Sequence, residues 1–178
     1  MPTRRTTKYY IGIDIGLLGA IVILNRDSNE VVESFVMPRI GKVVDAHQLR
    51  NILHFYRSQD CHVAFEDLHA IKNSSAGANY TFGFNGGIVE GIVAGLNLPF
   101  TRVSAKVWQK EMFVGVKQLQ KPSNSGKTMV NDTKKMALIA AKRLFPQANL
   151  FATSRSSVPH NGIVDALLIA GYVKRKFT

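Results

Sequence analysis

The chain has 178 residues, 46% of them hydrophobic and 20% charged, which is enough apolar material for one packed domain, too little length for two large lobes, and the wrong balance for a disordered chain. Its formal net charge is +11, from 23 Lys and Arg against 12 Asp and Glu, and this points to a polyanionic partner, nucleic acid ahead of an acidic membrane surface. The excess is confined to the second half: residues 1–99 hold nine basic and nine acidic side chains, residues 100–178 fourteen basic ones against Glu111, Asp132 and Asp165.

Cys61 is the single cysteine, so an intramolecular disulfide and a cysteine-rich zinc site are excluded, and a reducing, cytoplasmic setting fits. Arg4, Arg5 and Lys8 followed by the apolar run from Tyr9 to Leu24 imitate a secretory leader. Asp14 and three glycines interrupt that run, however, and no Ala-x-Ala site follows it. No other apolar stretch approaches the roughly 20 residues of a membrane span, so no membrane partner is expected.

Residues 8–15 and 19–25 are short, β-branched and aromatic, and separated by glycines, which reads as a hairpin; residues 30–37 continue it to a three-stranded antiparallel meander ending at Pro38. From Asp45, a suitable N-cap, to about Arg57 the apolar residues Ala46, Leu49, Ile52, Leu53 and Tyr56 recur at helical spacing. Residues 62–66 (HVAFE) read as a buried strand whose carboxyl end opens onto a site. A loop of small residues over 73–78 and a Gly-rich helix over 86–96 follow, then a last strand over 100–103 and a short helix, capped by Ser104, that contains Trp108. Residues 115–130 are polar, basic and patternless and read as a mobile loop. Asn131 or Asp132 then caps a helix to Leu144, and Gly162 leads into a final helix over 163–174. No internal repeat or linker divides the chain, so one domain spanning 1–178 is expected: α/β, a single mixed sheet flanked by helices.

Three acids stand in the most apolar contexts. Asp14 lies in IGIDIG near the end of a strand that reads as buried, where a lone carboxylate costs several kcal/mol, roughly, unless a cation or hydrogen bonds compensate; the plain alternative is a turn-closing Asp before Gly16. Glu66 ends a strand that should lie beside the first, within reach of Asp14, and two such carboxylates coexist at neutral pH only if one is protonated or a cation sits between them. Asp67 points the other way. Asp165 falls in the first turn of an apolar helix, where its plain role is a helix-dipole interaction of about 0.3 to 1 kcal/mol. Three carboxylates with open coordination positions suit Mg²⁺ or Mn²⁺, hard ions that prefer oxygen ligands.

The hairpin GIDIGLLGAIVIL, the strand-ending AFEDLHA, the segment GGIVEGIVAGLNLPFTRVSAKVWQKEM and the C-terminal HNGIVDALLIAGY together resemble the RuvC-type Holliday junction resolvases, in the right order and over nearly the whole chain. The resemblance implies an RNase H-like fold with a mixed five-stranded sheet, cleavage of four-way DNA junctions by a homodimer, and a carboxylate cluster holding two divalent metal ions. It places Asp14, Glu66 and Asp165 on three of the family's acids. The fourth place departs. Bacterial members commonly carry an Asp three residues before the last one, where this chain has Gly162, and phage-like or organellar relatives carry it a little earlier in a His-Asp-Gly arrangement, which here reads His160, Asn161, Gly162. Asn161 is neutral and a poorer metal ligand, so either His160 substitutes, or activity is reduced, or an Asp→Asn change has inactivated the site; the last is the favoured reading.

The chemistry implied is metal-assisted phosphodiester hydrolysis, with one ion activating water and the other stabilising the leaving 3′ oxygen. Lys117, Lys121 and Lys127 of the basic segment are candidates for offsetting charge near the scissile phosphate. Lys134, Lys135, Lys142 and Arg143, opposite Met136, Ile139, Ala140 and Leu144, would contact phosphates without reading bases. Tyr80, Phe82 and Phe84 recur with period two and are more simply packing residues, although at a crossover they could stack on unpaired bases. His69 stands where family members often carry a wedge aromatic. SNSGKT (123–128) mimics a phosphate-binding loop, but Lys121 stands where that motif needs Gly, and no nucleotide site is expected. Two other functions fit the same residues: an RNase H-like nuclease of RNA or RNA/DNA hybrids, and a non-catalytic nucleic-acid-binding module.

Overall fold

The computed structural model describes residues 7–67, 69, 74–123 and 125–177. Strands β1 (Tyr9–Asp14), β2 (Ala20–Asn25) and β3 (Val31–Val36) form the expected antiparallel meander. A two-residue-stranded hairpin, β4 (Arg39–Ile40) and β5 (Val43–Val44), turns at Gly41, whose φ of +61° suits glycine. Helix α1 (Ala46–His54) follows, with the Asp45 carboxylate accepting from the backbone N–H groups of His47 and Gln48. Strand β6 (Cys61–Glu66), helix α2 (Ala76–Gly95), strand β7 (Phe100–Val103) and helix α3 (Ala105–Met112) come next. A second small hairpin, β8 (Gln120–Pro122) and β9 (Met129–Asn131), precedes helices α4 (Thr133–Leu144) and α5 (Asn161–Phe177).

The five long strands form one sheet in the order β3-β2-β1-β6-β7, with β6 parallel to both β1 and β7. Alternation along the strands sends Ile11, Ile13, Ile21, Ile23, Val63 and Phe65 to the face covered by α1 and α2, and Tyr10, Val22, Leu24 and Ala64 to the face covered by α3, α4 and α5. Both faces of the central strands are therefore dry, and each fully buried Ile, Leu or Val there contributes about 1.5–3 kcal/mol relative to exposure. Among the described residues no helix is long and apolar enough to cross a membrane.

Helix α5 sits unusually close to the sheet because of glycine. A Cβ on Gly12 would stand 1.9 Å from the Ala166 carbonyl oxygen and 2.6 Å from the Ala170 nitrogen. Only a residue without a side chain allows this contact, which fixes the depth at which α5 rides over β1. On the other face, buried Asn85 of α2 accepts from the Val44 N–H at 2.7 Å and donates to the Lys42 and Thr81 carbonyls at 3.1 and 2.8 Å. It stitches the β4–β5 hairpin to α2.

The structure corrects several expectations. Helix α2 begins at Ala76 with Ser75 as its cap, ten residues before the expected start, so Tyr80, Phe82 and Phe84 are helical. Tyr80 and Phe84, four apart, stack on one exposed face at 5.9 Å, while Phe82 lines a cavity with Ile15 and Leu17. The expected loop over 115–130 contains the β8–β9 hairpin. Ser104 occupies the N-cap position of α3 without a side-chain bond. In α4, Ile139 is exposed, and Ala137 and Ala141 complete the buried face with Met136 and Ala140. Asp165 lies one turn inside α5, whose first turn has no acid, so the simple helix-dipole reading of Asp165 fails.

Candidate functional site

The parallel pairing of β1 with β6 sets Ile13 opposite Phe65, and the next residue on each strand is an acid. Asp14 and Glu66 thus stand side by side at the carboxyl ends of neighbouring strands, which run about 4.8 Å apart. By alternation with Gly12 and Ala64 both belong to the face covered by α5. Asp165 comes to them from α5, one residue before Ala166, whose carbonyl lies against Gly12. The sequence therefore builds this site with two strand ends and one helix seated by glycine.

Each acid is partly buried, Asp14 feels the charge of Glu66, and Asp165 feels both. Asp14 is pushed up from an ordinary 3.8 to about 6, first by burial and then by the charge of Glu66, against the opposing Gly16 N–H and Lys134. Asp165 rises from 3.8 to about 7, through burial and then the charges of Asp14 and Glu66, again opposed by Lys134. Glu66 is raised by burial and held back by a hydrogen bond from Trp108. That bond is 2.8 Å, from the indole Nε1–H to Glu66 Oε1, and the Gly16 N–H reaches Asp14 Oδ1 at 3.3 Å. Among the described residues no three His, Cys, Asp or Glu side chains are drawn together tightly enough to hold an ion as they stand. Like charges separate, and two of these acids each spend an oxygen on a nearby N–H group. The donor set itself, three partly buried carboxylates whose charge burial disfavours, fits a hard divalent ion.

A cavity of about 590 Å³ lies against Asp14 and Asp165, and its walls include Lys134, Arg155, His160 and Asn161. Glu66 does not line it. Asn161 and Asp165, four apart on α5, share a helix face. His160 precedes the helix, and its Nδ1 accepts the Ile163 N–H at 3.3 Å, so this nitrogen serves as the helix cap.

The remaining candidates spread widely. Lys134 faces the acids rather than open solvent alone, and Lys135 and Lys142 are exposed on the same helix. Arg143 donates to the Met112 carbonyl at 3.4 Å and packs over Gly115, a contact that ties α4 to the end of α3. Lys121 lies 3.6 Å from Asp132, while Lys117 and Lys127 are exposed on and beside the β8–β9 hairpin. His69 is exposed, 3.4 Å from the Asp67 carboxylate. Trp108, Lys134 as a neighbour of the acids, and Arg155 were not legible as site residues; only the packing of α3, α4 and the 151–159 segment around α5 reveals them.

The meander, the two parallel strands that continue it and the flanking helices define the RNase H-like fold. Two solved structures share it along nearly their whole length: T. thermophilus RuvC in complex with a Holliday junction substrate, at a TM-score of 0.61 and 13% identity over 94% of this chain and 96% of that one, and Thermus thermophilus RuvC alone, at 0.59 and 15% over 95% and 97%. The large terminase nuclease from thermophilic phage G20c aligns with a TM-score of 0.46 and 12% identity over 91% of this chain and 80% of that one. No protein-family model matches the sequence, and no curated protein does. At these identities the likeness is one of fold.

Proposed function

We propose that this chain is a divalent-metal-dependent endonuclease that resolves four-way DNA junctions by paired phosphodiester hydrolysis, acting as a homodimer because two cuts need two sites. The observation that carries the reading is the convergence of Asp14, Glu66 and Asp165, from two strands and a helix, into one charge-strained cluster on a protein of net charge +11. The fold shared with RuvC, solved with a Holliday junction substrate, supports branched DNA as the substrate.

In this reading Asp14, Glu66 and Asp165 hold Mg²⁺ or Mn²⁺, two ions per site, with Asn161 at the cavity edge. Bound there, the ions supply an activated water and stabilise the leaving 3′ oxygen. The residues of the chain do the rest. Trp108 keeps Glu66 in place, Lys134 tempers the negative charge of the cluster, and Arg155, which lines the cavity, offers a guanidinium to a phosphate entering it. Lys117, Lys127, Lys135 and Lys142 provide exposed positive charge for the flanking duplex.

Asn161 favours one second reading, a nucleic-acid-binding module that does not cut. The test is cleavage of end-labelled four-way junction, linear duplex and RNA/DNA hybrid by the chain and by its Asn161→Asp form. Metal-dependent, symmetrically placed nicks in the junction support the resolvase. Preferred cutting of the hybrid assigns an RNase H-like activity instead, and tight junction binding without cleavage by either form assigns the binding module.

A further inference from the structure

We propose that Trp108 is a positioning residue for Glu66: its indole N–H fixes the carboxylate so that Oε2 is presented to a divalent cation. The inference rests on the reading of Glu66 as a metal ligand and names the group that prepares it. Trp108 is 1% exposed on α3 and is braced edge-on by Phe113, with ring centroids 5.9 Å apart at 85°. A large ring packed in this way cannot swing. Indole is a donor only, and its N–H is spent on Glu66 Oε1 at 2.8 Å, in a bond strengthened by the carboxylate charge.

Two consequences follow. Rotating Glu66 away would strand a buried N–H, so the rotamer is held from behind before any cation arrives. One lone pair of Oε1 is also spent on the indole, which sets Glu66 apart from Asp165 and leaves Oε2 as its freer ligand atom. Partners of this kind orient metal ligands, and losing one weakens metal affinity by roughly 10–100-fold.

Trp108 is the only tryptophan in the chain, so the bond can be watched directly. In ¹⁵N-labelled protein the single indole N–H resonance is expected to move saturably as Mg²⁺ is added, and to stay in place in Glu66→Gln, which keeps an acceptor for the indole but loses the charge. By calorimetry Trp108→Phe is expected to weaken Mn²⁺ binding at least about tenfold, with folding checked by circular dichroism. If the variant does not fold, the resonance shift in the unaltered chain decides. Ion binding without movement of the indole resonance, or unchanged Mn²⁺ affinity in folded Trp108→Phe, overturns the role of Trp108 and leaves the metal site standing. Absence of saturable Mg²⁺ or Mn²⁺ binding by both methods overturns the metal site itself.

Discussion

Gly162 rests on the backbone of Gly19: a Cβ at position 162 would stand 2.6 Å from the Gly19 carbonyl carbon and 2.6 Å from the Leu18 carbonyl oxygen. No side chain fits there. A fourth acid three residues before Asp165 is therefore incompatible with how α5 meets the β1–β2 turn, and of the two first-turn residues that line the cavity beside Asp14 and Asp165, Asn161 and Gly162, only Asn161 carries a side chain. Asn161→Asp is expected to raise Mg²⁺-dependent junction cleavage by at least about tenfold, the scale of a lost metal partner. Gly162→Asp is expected to destabilise the fold by about 1–3 kcal/mol or more without that gain. Nicking rates and thermal melts of the two variants check this, and equal or lower activity of Asn161→Asp counts against the proposed site.

Gly12 is packed in the same way, against the backbone of α5. Any Cβ there collides with the Ala166 carbonyl at 1.9 Å, and the helix must lift off β1, taking Asp165 away from Asp14. Gly12→Ala is expected to cost at least about 1–3 kcal/mol in denaturant unfolding and to lower Mn²⁺ affinity, although position 12 bears no ligand.

The acids predict an unusual pH profile of stability without divalent ions. Asp165 titrates near 7 and Asp14 near 6 in the folded chain, against about 4 when unfolded. Between those values the unfolded state has released protons that the folded state still holds, so this site's contribution to stability falls as pH rises from about 4 through 7. Melting temperatures should reflect that loss, Asp165→Asn should flatten it, and saturating Mg²⁺ should stabilise the protein more at pH 8 than at pH 5. A stabilisation by Mg²⁺ that is independent of pH would contradict the assignment.

Asn85 gives a prediction remote from the acids. Two of its three hydrogen bonds, with the Val44 N–H and the Lys42 carbonyl, hold the β4–β5 hairpin, and Asn85→Leu strands the buried Val44 N–H at a cost of about 1–3 kcal/mol before relaxation. Hydrogen exchange at the Val44 amide should accelerate markedly in that variant, while exchange in α5 stays slow.

The strands of the sheet were legible because each is a short apolar run closed by a polar residue, Gly or Pro, β6 by its own Glu66 and Asp67, and the apolar setting of Asp14, Glu66 and Asp165 marked them in the sequence. The first half of α2 was hidden: its glycines weaken helix propensity, and Tyr80, Phe82 and Phe84 imitate a strand's period. What overrides this is tertiary, since Asn85 and Phe82 must both face inward. The β8–β9 hairpin has three-residue strands exposed throughout, so burial left no alternation to read. The bond between Trp108 and Glu66 spans 42 positions, and no local pattern signals it. His160 could be placed at the site, but its service as a helix cap follows only from the backbone turn at Ile163.

The central claim is that three distant carboxylates fold into one divalent-ion site, and the most direct measurement is an anomalous-difference map from crystals soaked in Mn²⁺. The account predicts peaks within about 2.0–2.6 Å of carboxylate oxygens of Asp14, Glu66 and Asp165, the usual range for oxygen ligands of hard divalent ions, and their loss in Asp14→Asn. Manganese bound elsewhere on the chain with none between these acids would contradict it.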